Sequence, residues 1–308
     1  MQKQGTIIKL LKMIRVHIVL GGALAFTIGM LLAVAGGGTF DPFKALLFYA
    51  VVFFGDLSTH YSNDYFDYSH DKQAQSSKFF SGKRILVQHP NLLPSARVTA
   101  LTCLSASILL ACLAVAIQAA PLELLLIAVG VNLLGWFYSA KPLRLVSRGL
   151  GEVAIALAAG FAIPAVGYIA VQGCLDALFG YFVLPFVLYG FMLGLSLDAP
   201  DVAVDRKSDK RTVGVRWGEM AVHGLVLAAA LVALAVFVLF AWQVEDAVID
   251  FWVIAGFSAV PLAAAIAGAL SLRKKTVSNV FSTINILALF AFNLLMVGYL
   301  ASASFMLL

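Results

Sequence analysis

Nine long apolar runs, separated by short polar connections, constrain this chain more than any other feature of its sequence. Each run has about 20 residues, the length that an α-helix needs to cross the hydrocarbon core of a bilayer. Because unpaired backbone groups are costly in lipid, such runs fold as helices rather than as open strands. The sequence therefore predicts an all-α, polytopic membrane protein. The nine predicted transmembrane helices cover residues 13–35, 42–63, 96–118, 121–138, 149–172, 177–197, 218–242, 248–271 and 278–302.

The placement of Lys and Arg tests this helix count independently. If the nine segments alternate in direction, 20 of the 21 Lys and Arg residues fall on one side of the membrane, and Lys44 is the exception. The positive-inside rule makes that side cytoplasmic. We therefore expect the N-terminus and two loops, residues 64–95 and 198–217, to be cytoplasmic and the C-terminus to lie on the opposite side.

The net charge of +5 is consequently a property of one face of the protein. A basic face of this kind suits anionic lipid headgroups or an anionic substrate rather than nucleic acid. Residues 1–12 are basic and amphipathic, which predicts a helix lying in the membrane interface. We expect residues 1–308 to form a single transmembrane domain, and hydropathy carries no information on oligomeric state.

An acidic cluster closes the second predicted span, in the stretch N-D-Y-F-D-Y-S-H-D. On a helix, Asp64, Asp67 and Asp71 have the spacing i, i+3, i+7 and project from one face. Carboxylates this close repel one another unless a cation lies between them, and Mg²⁺ commonly bridges carboxylates to substrate phosphates. The alternative is a solvated polar helix end.

A second acidic cluster, in L-D-A-P-D-V-A-V-D, closes the sixth predicted span. Asp198, Asp201 and Asp205 repeat the spacing of the first cluster, four spans later and on the same side of the membrane. This coincidence indicates two four-helix pseudo-repeats plus one helix, arranged around a central cavity. It also favours metal ligands over two solvated helix ends.

Cationic side chains follow both clusters, as an anion site requires. At the membrane interface, Arg15 either snorkels to the headgroups or binds a phosphate from the cavity rim. The loop cations either fold over the carboxylates or serve only as a topology signal. The residues that we expect to bind a diphosphate are Arg15, Lys83, Arg84, Lys141, Arg144 and Lys210.

Two ionisable residues lie inside the second span, on the same side of the helix as the first cluster. Asp56 and His60 either face a cavity, where they orient an acceptor hydroxyl or take a proton, or pair with each other at i, i+4. Two acidic clusters with cations at the end of an apolar bundle suit a Mg²⁺-bound diphosphate with a buried isoprenoid tail. A transporter is the alternative from another class, although its charged groups would be expected nearer the midplane.

These motifs resemble those of the UbiA superfamily of intramembrane prenyltransferases. The first cluster matches N-D-x-x-D-x-x-x-D through Asn63 and its three aspartates, and the second matches D-x-x-D-x-x-x-D. The segment Y-S-x-K-P and the pair Arg148-Gly149 are also similar to the family. The resemblance covers nearly the whole chain.

Three stretches are similar to the naphthoate prenyltransferases of menaquinone synthesis: N-D-Y-F-D-Y, S-G-K-R-I-L-V and K-R-T-V-G-V-R-W-G. Asp209 departs from that branch, which usually has Gly at this position. The extra carboxylate either alters the number of metals or faces water. Within the superfamily, a glycerol-phosphate lipid acceptor is the alternative. A CDP-alcohol phosphotransferase is disfavoured because its D-G-x-x-A-R element is missing.

The resemblance implies Mg²⁺-dependent transfer of a prenyl group from an isoprenyl diphosphate to a lipophilic, commonly aromatic, acceptor within the bilayer. It implies that the six aspartates of the two clusters bind metal. Tyr138 and Tyr65 are candidates to stabilise an allylic cation with their rings, and Asp198 or Asp56 to remove the final proton. The implied catalytic residues are Asn63, Asp64, Asp67, Asp198, Asp201 and Tyr138.

Overall fold

The protein is an all-helical bundle in its computed structural model, which describes residues 2–72, 84–207, 210–244, 249–271 and 278–305. Within these ranges no strand is present, and nine helices are long and apolar enough to cross a membrane. Both observations confirm the predicted fold class. The first to ninth spans are Val16–Ala35, Pro42–Phe66, Pro90–Ile117, Leu122–Ser139, Gly151–Gln172, Ala177–Asp201, Glu219–Gln243, Phe251–Ser271 and Val280–Ser304.

Short helices occupy the connections that follow the second, fourth and sixth spans. Because the spans alternate in direction, these connections share one side of the bundle with the N-terminal helix, Gln2–Leu11. A helix was expected over residues 1–12, and its place in the membrane interface stays a prediction. The short helices are Tyr68–Asp71, Ile85–Gln88, Leu145–Arg148, Val202–Asp205 and Val213–Trp217.

A central cavity lies within the bundle and is lined by spans one to six and nine. Spans seven and eight pack outside this ring, against the sixth and ninth spans. Close backbone contact holds the first and fifth spans together: a Cβ added at Gly29 would lie 2.0 Å from the carbonyl oxygen of Pro164. Likewise, a Cβ added at Gly167 would overlap the carbonyl oxygen of Phe26. Glycine at these two positions lets the helices approach as small residues do in membrane bundles.

Two spans contain interruptions that hydropathy did not predict. In the fifth span, Ala158–Ala162 forms a π-helical turn immediately before the segment containing Pro164. The eighth span divides at Ser258, shortly before Pro261. Proline lacks the amide hydrogen that would bond to the preceding turn, so the backbone loosens on its N-terminal side.

Both aspartate clusters lie across a helix break rather than on one continuous helix as the spacing suggested. The second span ends at Phe66, Asp67 caps it, and Asp71 ends a separate short helix. Carboxylates at the C-terminal end of a helix oppose its dipole, so they need cations beside them. At the second cluster, Pro200 lacks an amide hydrogen, and the 3₁₀ turn Ala199–Asp201 ends the sixth span before the short helix Val202–Asp205.

Candidate active site

The central cavity has a volume of about 890 Å³ and joins the two acidic clusters. This volume is within the range of sites that enclose a small ligand. Its mouth lies where the second and sixth spans end, and its interior is mainly apolar. All six aspartates of the two clusters line it: Asp64, Asp67, Asp71, Asp198, Asp201 and Asp205.

Fixed cations neutralise part of the first cluster. Arg15 donates a hydrogen bond of 2.8 Å from Nη2 to Oδ1 of Asp64, whose side chain is only 9% exposed. Lys210 lies 3.1 Å from Oδ2 of Asp67. Arg84 donates from its guanidinium to the carbonyl oxygen of Asp71. Burial, together with the charge of Asp67, raises the pKa of the Asp71 carboxyl to about 6.

The second cluster contains a buried carboxylate oxygen that has no hydrogen-bond partner. Oδ2 of Asp198 is buried without a hydrogen-bond partner, and Asp205 is 6% exposed. Glu152 is buried nearby at the start of the fifth span. Adjacent carboxylates in a dry environment raise each other's energy, because there is little water to screen them. An additional positive charge beside Asp198 would therefore stabilise this cluster.

Lys210 connects the two clusters, because it follows the second in sequence and contacts Asp67 of the first. Burial lowers the pKa of the Lys210 ammonium, but Asp67 and Asp205 outweigh that effect and raise the pKa above its ordinary value. Lys210 therefore remains charged. Because all six aspartates also line one cavity, both clusters lie at the same end of the bundle.

Three hydrogen bonds attach the segment after Lys210 to the start of the fifth span and to the loop before it. Glu152 accepts the amide of Val213 through Oε1 at 2.7 Å. The amide of Arg211 donates to the carbonyl of Val146 at 3.2 Å. Arg216 donates to the carbonyl of Arg148 at 2.7 Å. These bonds fix the backbone that carries Lys210, so Glu152 acts on the site through position rather than through direct contact.

Asp56 and His60 face the cavity and also lie beside each other. Both line the cavity wall, and Nε2 of His60 is 3.4 Å from Oδ1 of Asp56. The structure thus places both side chains at the cavity and beside each other, and their action on an acceptor stays a prediction. At 3.4 Å the contact is long for a hydrogen bond, and His60 is 3% exposed with neither ring nitrogen hydrogen-bonded.

The sequence-predicted residues divide by position. Asn63, Tyr138, Arg15, Arg84 and Lys210 line the cavity with the six aspartates. Lys141 and Arg144 lie outside the cavity lining, in the loop before the fifth span, and Lys141 is exposed. Their role in diphosphate binding stays a prediction. Tyr65 also lies outside the lining, under the guanidinium of Arg97 at 5.9 Å.

Two further predicted positions, Lys83 and Asp209, lie outside the described residues. The sequence reasoning also missed polar residues that the structure brings to the site. Glu152 and Asn132 are almost fully buried, at 1% and 4% exposed. The available signal was a charged or amide side chain within an apolar span, which is costly in lipid and so implies a specific partner. The aromatic residues Phe186, Tyr189 and Phe290 of the cavity wall carried no comparable signal.

The donors at the cavity mouth fit magnesium. They are carboxylate oxygens, and Oδ2 of Asp198 and Oδ1 of Asn63 are buried without hydrogen-bond partners. Among the described residues, no three His, Cys or acidic side chains converge closely enough to hold an ion by themselves. A cation bound here would therefore share oxygens from water or substrate, which is the coordination that Mg²⁺ prefers.

Solved structures with the same architecture include several UbiA homologues. A UbiA homologue from Archaeoglobus fulgidus bound to DMAPP and Mg²⁺ matches with a TM-score of 0.71 and 16% identity, covering 96% of this chain and 98% of that one. A UbiA homologue from Aeropyrum pernix K1 matches with a TM-score of 0.68 and 15% identity, covering 91% and 98%. Digeranylgeranylglyceryl phosphate synthase matches with a TM-score of 0.67 and 18% identity, covering 98% and 99%.

At these identities the structures show a shared fold. A comparison with curated protein sequences finds no match. The model of the UbiA prenyltransferase family, however, matches residues 23–295, which is most of the chain and includes both aspartate clusters. The chain therefore belongs to the UbiA prenyltransferase family.

Proposed function

We propose that this protein transfers a prenyl group from an isoprenyl diphosphate to an acceptor within the membrane, with Mg²⁺ as cofactor. One observation carries the proposal. Two aspartate clusters, linked by Lys210, lie at the mouth of a single cavity whose interior is mainly apolar. Charged groups at the mouth suit the diphosphate, and the interior suits the hydrocarbon tail.

The six aspartates are the residues that would hold Mg²⁺, with Asn63 beside them. Mg²⁺ in such a site supplies positive charge that neutralises phosphate oxygens. Two observations support its use here: the unpartnered oxygens of Asp198 and Asn63, and the Mg²⁺ bound with DMAPP in the homologue from Archaeoglobus fulgidus.

Arg15, Arg84 and Lys210 bind and neutralise the leaving group in this mechanism. The bond between prenyl C1 and the diphosphate oxygen breaks, and the electron pair leaves with the diphosphate. The negative charge on that group grows as the bond breaks, so cations fixed beside it stabilise the transition state more than the bound substrate. The acceptor then forms a bond to C1 and releases a proton.

The cavity interior protects the allylic cation left behind. Water would add to that cation, and an apolar lining excludes water. The rings of Tyr138, Phe186 and Tyr189 line the same cavity, and aromatic faces attract positive charge. Tyr138 lies at the end of the fourth span nearest the aspartates, so it is the ring best placed to face C1.

For the acceptor, we propose a small aromatic quinone precursor, as in the naphthoate branch of menaquinone synthesis. The motifs N-D-Y-F-D-Y and K-R-T-V-G-V-R-W-G support this choice. A glycerol-phosphate lipid is the second candidate, because digeranylgeranylglyceryl phosphate synthase shares the fold over nearly the whole chain.

Product identification tests both the reaction and the acceptor. Purified protein is incubated with Mg²⁺, radiolabelled geranylgeranyl diphosphate, and either 1,4-dihydroxy-2-naphthoate or a prenylated glycerol phosphate. We expect a Mg²⁺-dependent prenylated naphthoate. Product only with the glycerol phosphate would favour the second acceptor. No product from any acceptor, with diphosphate flux across reconstituted vesicles, would contradict the enzyme and favour a transporter.

We further propose that the aspartate clusters face the cytoplasm, since the basic connections lie on their side. The native cysteines allow a direct test. Cys174 is exposed in the connection between the fifth and sixth spans, on the opposite side of the bundle. A membrane-impermeant maleimide should label Cys174 in intact cells, with Cys174→Ala as the control. Labelling only after the membrane is permeabilised would reverse the proposed orientation.

A further inference from the structure

A buried amide in the fourth span forms a polar site inside the apolar cavity, away from both aspartate clusters. Asn132 lines the cavity and is 4% exposed. The amide packs against Gly55 of the second span, where an added Cβ would lie 3.5 Å from both Nδ2 and Oδ1 of Asn132. Gly55 is nine residues before Asp64 on the same helix, which places this amide about 13 Å deeper than the cavity mouth.

The hydrogen bonds around Asn132 fix which way its amide faces. Ser107 donates its hydroxyl hydrogen to the carbonyl of Val51 at 2.8 Å, so its oxygen is left as an acceptor. Nδ2 of Asn132 donates to that oxygen at 2.9 Å and to the carbonyl of Ala128 at 2.8 Å. Both amide hydrogens are therefore used, and reversing the amide would place two acceptors against each other.

The remaining atom, Oδ1 of Asn132, has no hydrogen-bond partner. A buried amide oxygen without a partner lowers the free energy of unfolding by about 1–3 kcal/mol. The network thus holds a buried acceptor without a partner in a residue that lines the cavity. An O–H or N–H group is needed to satisfy it.

The components of the proposed reaction differ in whether they can donate. The prenyl tail is hydrocarbon and has no donor. The ionised diphosphate offers only acceptor oxygens, and it belongs at the mouth, beside Arg15 and Lys210. The acceptor substrate is the remaining component, and its attacking atom must lie next to prenyl C1. A hydroxyl on the opposite side of its ring then points deeper into the cavity.

We propose that Asn132 is a recognition site for a hydroxyl group of the aromatic acceptor substrate. The inference rests on the proposed function, because it assumes that a prenyl diphosphate occupies the mouth. The amide then determines selectivity. The site binds an acceptor with a free hydroxyl more tightly than the same acceptor with that hydroxyl methylated.

Binding of two matched probes tests the inference without needing turnover. Full-length protein in detergent is saturated with Mg²⁺ and the unreactive analogue geranylgeranyl S-thiolodiphosphate. Dissociation constants are then measured anaerobically for 1,4-naphthalenediol and for 1,4-dimethoxynaphthalene, which lacks the donors. We expect the diol to bind at least tenfold more tightly to the natural protein. In Asn132→Leu the ratio should fall below twofold.

Two further variants separate recognition from packing. Thr59→Val removes a cavity-wall hydroxyl that is already bonded to the carbonyl of Gly55, so it should leave the ratio unchanged. Ser107→Ala leaves Oδ1 in place but frees the amide to turn, so the ratio should fall to between two- and tenfold. This variant tests the inference even if Asn132→Leu does not fold. Retained analogue binding and an unchanged thermal midpoint will show whether each variant is folded.

The outcomes distinguish the inference from the proposed function. Equal binding of the two probes to the natural protein, no binding of either, or an unchanged ratio in Asn132→Leu or Ser107→Ala would overturn the inference while the analogue still binds. Oδ1 would then be satisfied by water. Failure of the natural protein to bind the analogue would overturn the proposed function and this inference with it.

Discussion

The two aspartate clusters have the same spacing and close equivalent spans, yet their surroundings differ. In the first cluster, Asp64 pairs with Arg15 at 2.8 Å and Asp67 with Lys210 at 3.1 Å. In the second, Oδ2 of Asp198 is buried without a hydrogen-bond partner, near the buried carboxylate of Glu152. The first aspartates of the two motifs thus differ, because Asp64 has a charged partner and Asp198 has an unpartnered oxygen. We infer that Asp198 depends more than Asp64 on cations that bind with substrate.

The largest expected effect is loss of turnover when either cluster is altered. Asp64→Asn and Asp198→Asn should each lower kcat/KM at least a thousandfold, about 4 kcal/mol of transition-state stabilisation. The assay is Mg²⁺-dependent release of diphosphate from a labelled prenyl diphosphate. Activity close to that of the natural protein in either variant would mean that one cluster is dispensable, and the two-cluster mechanism would fail.

Lys210 should matter less than the aspartates but more than the predicted cations outside the cavity. Lys210→Met removes the charge that links the clusters, so we expect the KM for prenyl diphosphate to rise ten- to a hundredfold, or about 1.4–2.7 kcal/mol. Lys141→Met is the matched control, because Lys141 is exposed and outside the lining. We expect it to change KM less than threefold. Equal effects would restore Lys141 as a diphosphate ligand.

The two Asp→Asn changes should differ in their effect on the free energy of unfolding. Asp64→Asn leaves Arg15 without its charged partner and should destabilise the protein by about 1–3 kcal/mol. Asp198→Asn removes a charge that has no complete partner, so stability should stay the same or rise by up to about 1 kcal/mol. Thermal unfolding in detergent without added metal measures both. A similar loss in both variants would remove the proposed difference between the clusters.

The smallest expected effect concerns the hydrogen bond between Glu152 and Val213. Glu152→Ala removes the acceptor of the Val213 amide, so the segment that carries Lys210 should loosen. We expect the KM for prenyl diphosphate to rise five- to tenfold, about 1 kcal/mol, with faster hydrogen exchange at Val213. Glu152→Gln retains an acceptor oxygen, so its KM and its hydrogen exchange at Val213 should be close to those of the natural protein. Slow exchange in Glu152→Ala would show that other contacts hold the segment in place.

Much of the fold was predictable because lipid imposes simple rules on a spanning segment. Length and hydropathy determine a helix, and the distribution of Lys and Arg checked the count of nine. The breaks within spans were less predictable. The π-turn at Ala158–Ala162 and the helix end at Phe66 depend on local backbone bonding, which hydropathy averages away.

The candidate site was predictable where residues repeat in a recognisable spacing, as the six aspartates do. It was not predictable where a role depends on which helices meet. Glu152 and Asn132 are single polar residues in apolar spans, and only the packed bundle shows that one bonds Val213 and the other faces the cavity. Conversely, Lys141 and Arg144 follow the charge pattern of the site, but their loop places them outside the cavity lining.

The central claim is that both clusters hold one diphosphate, and a double-mutant cycle on binding tests it most directly. The affinity of geranylgeranyl S-thiolodiphosphate is measured with Mg²⁺ for the natural protein, Asp64→Asn, Asp198→Asn and the double variant. Groups that share one ligand couple, so the loss in the double variant should fall short of the sum of the single losses by more than about 1 kcal/mol. Strictly additive losses, or an affinity that one of the clusters does not affect, would contradict a shared site.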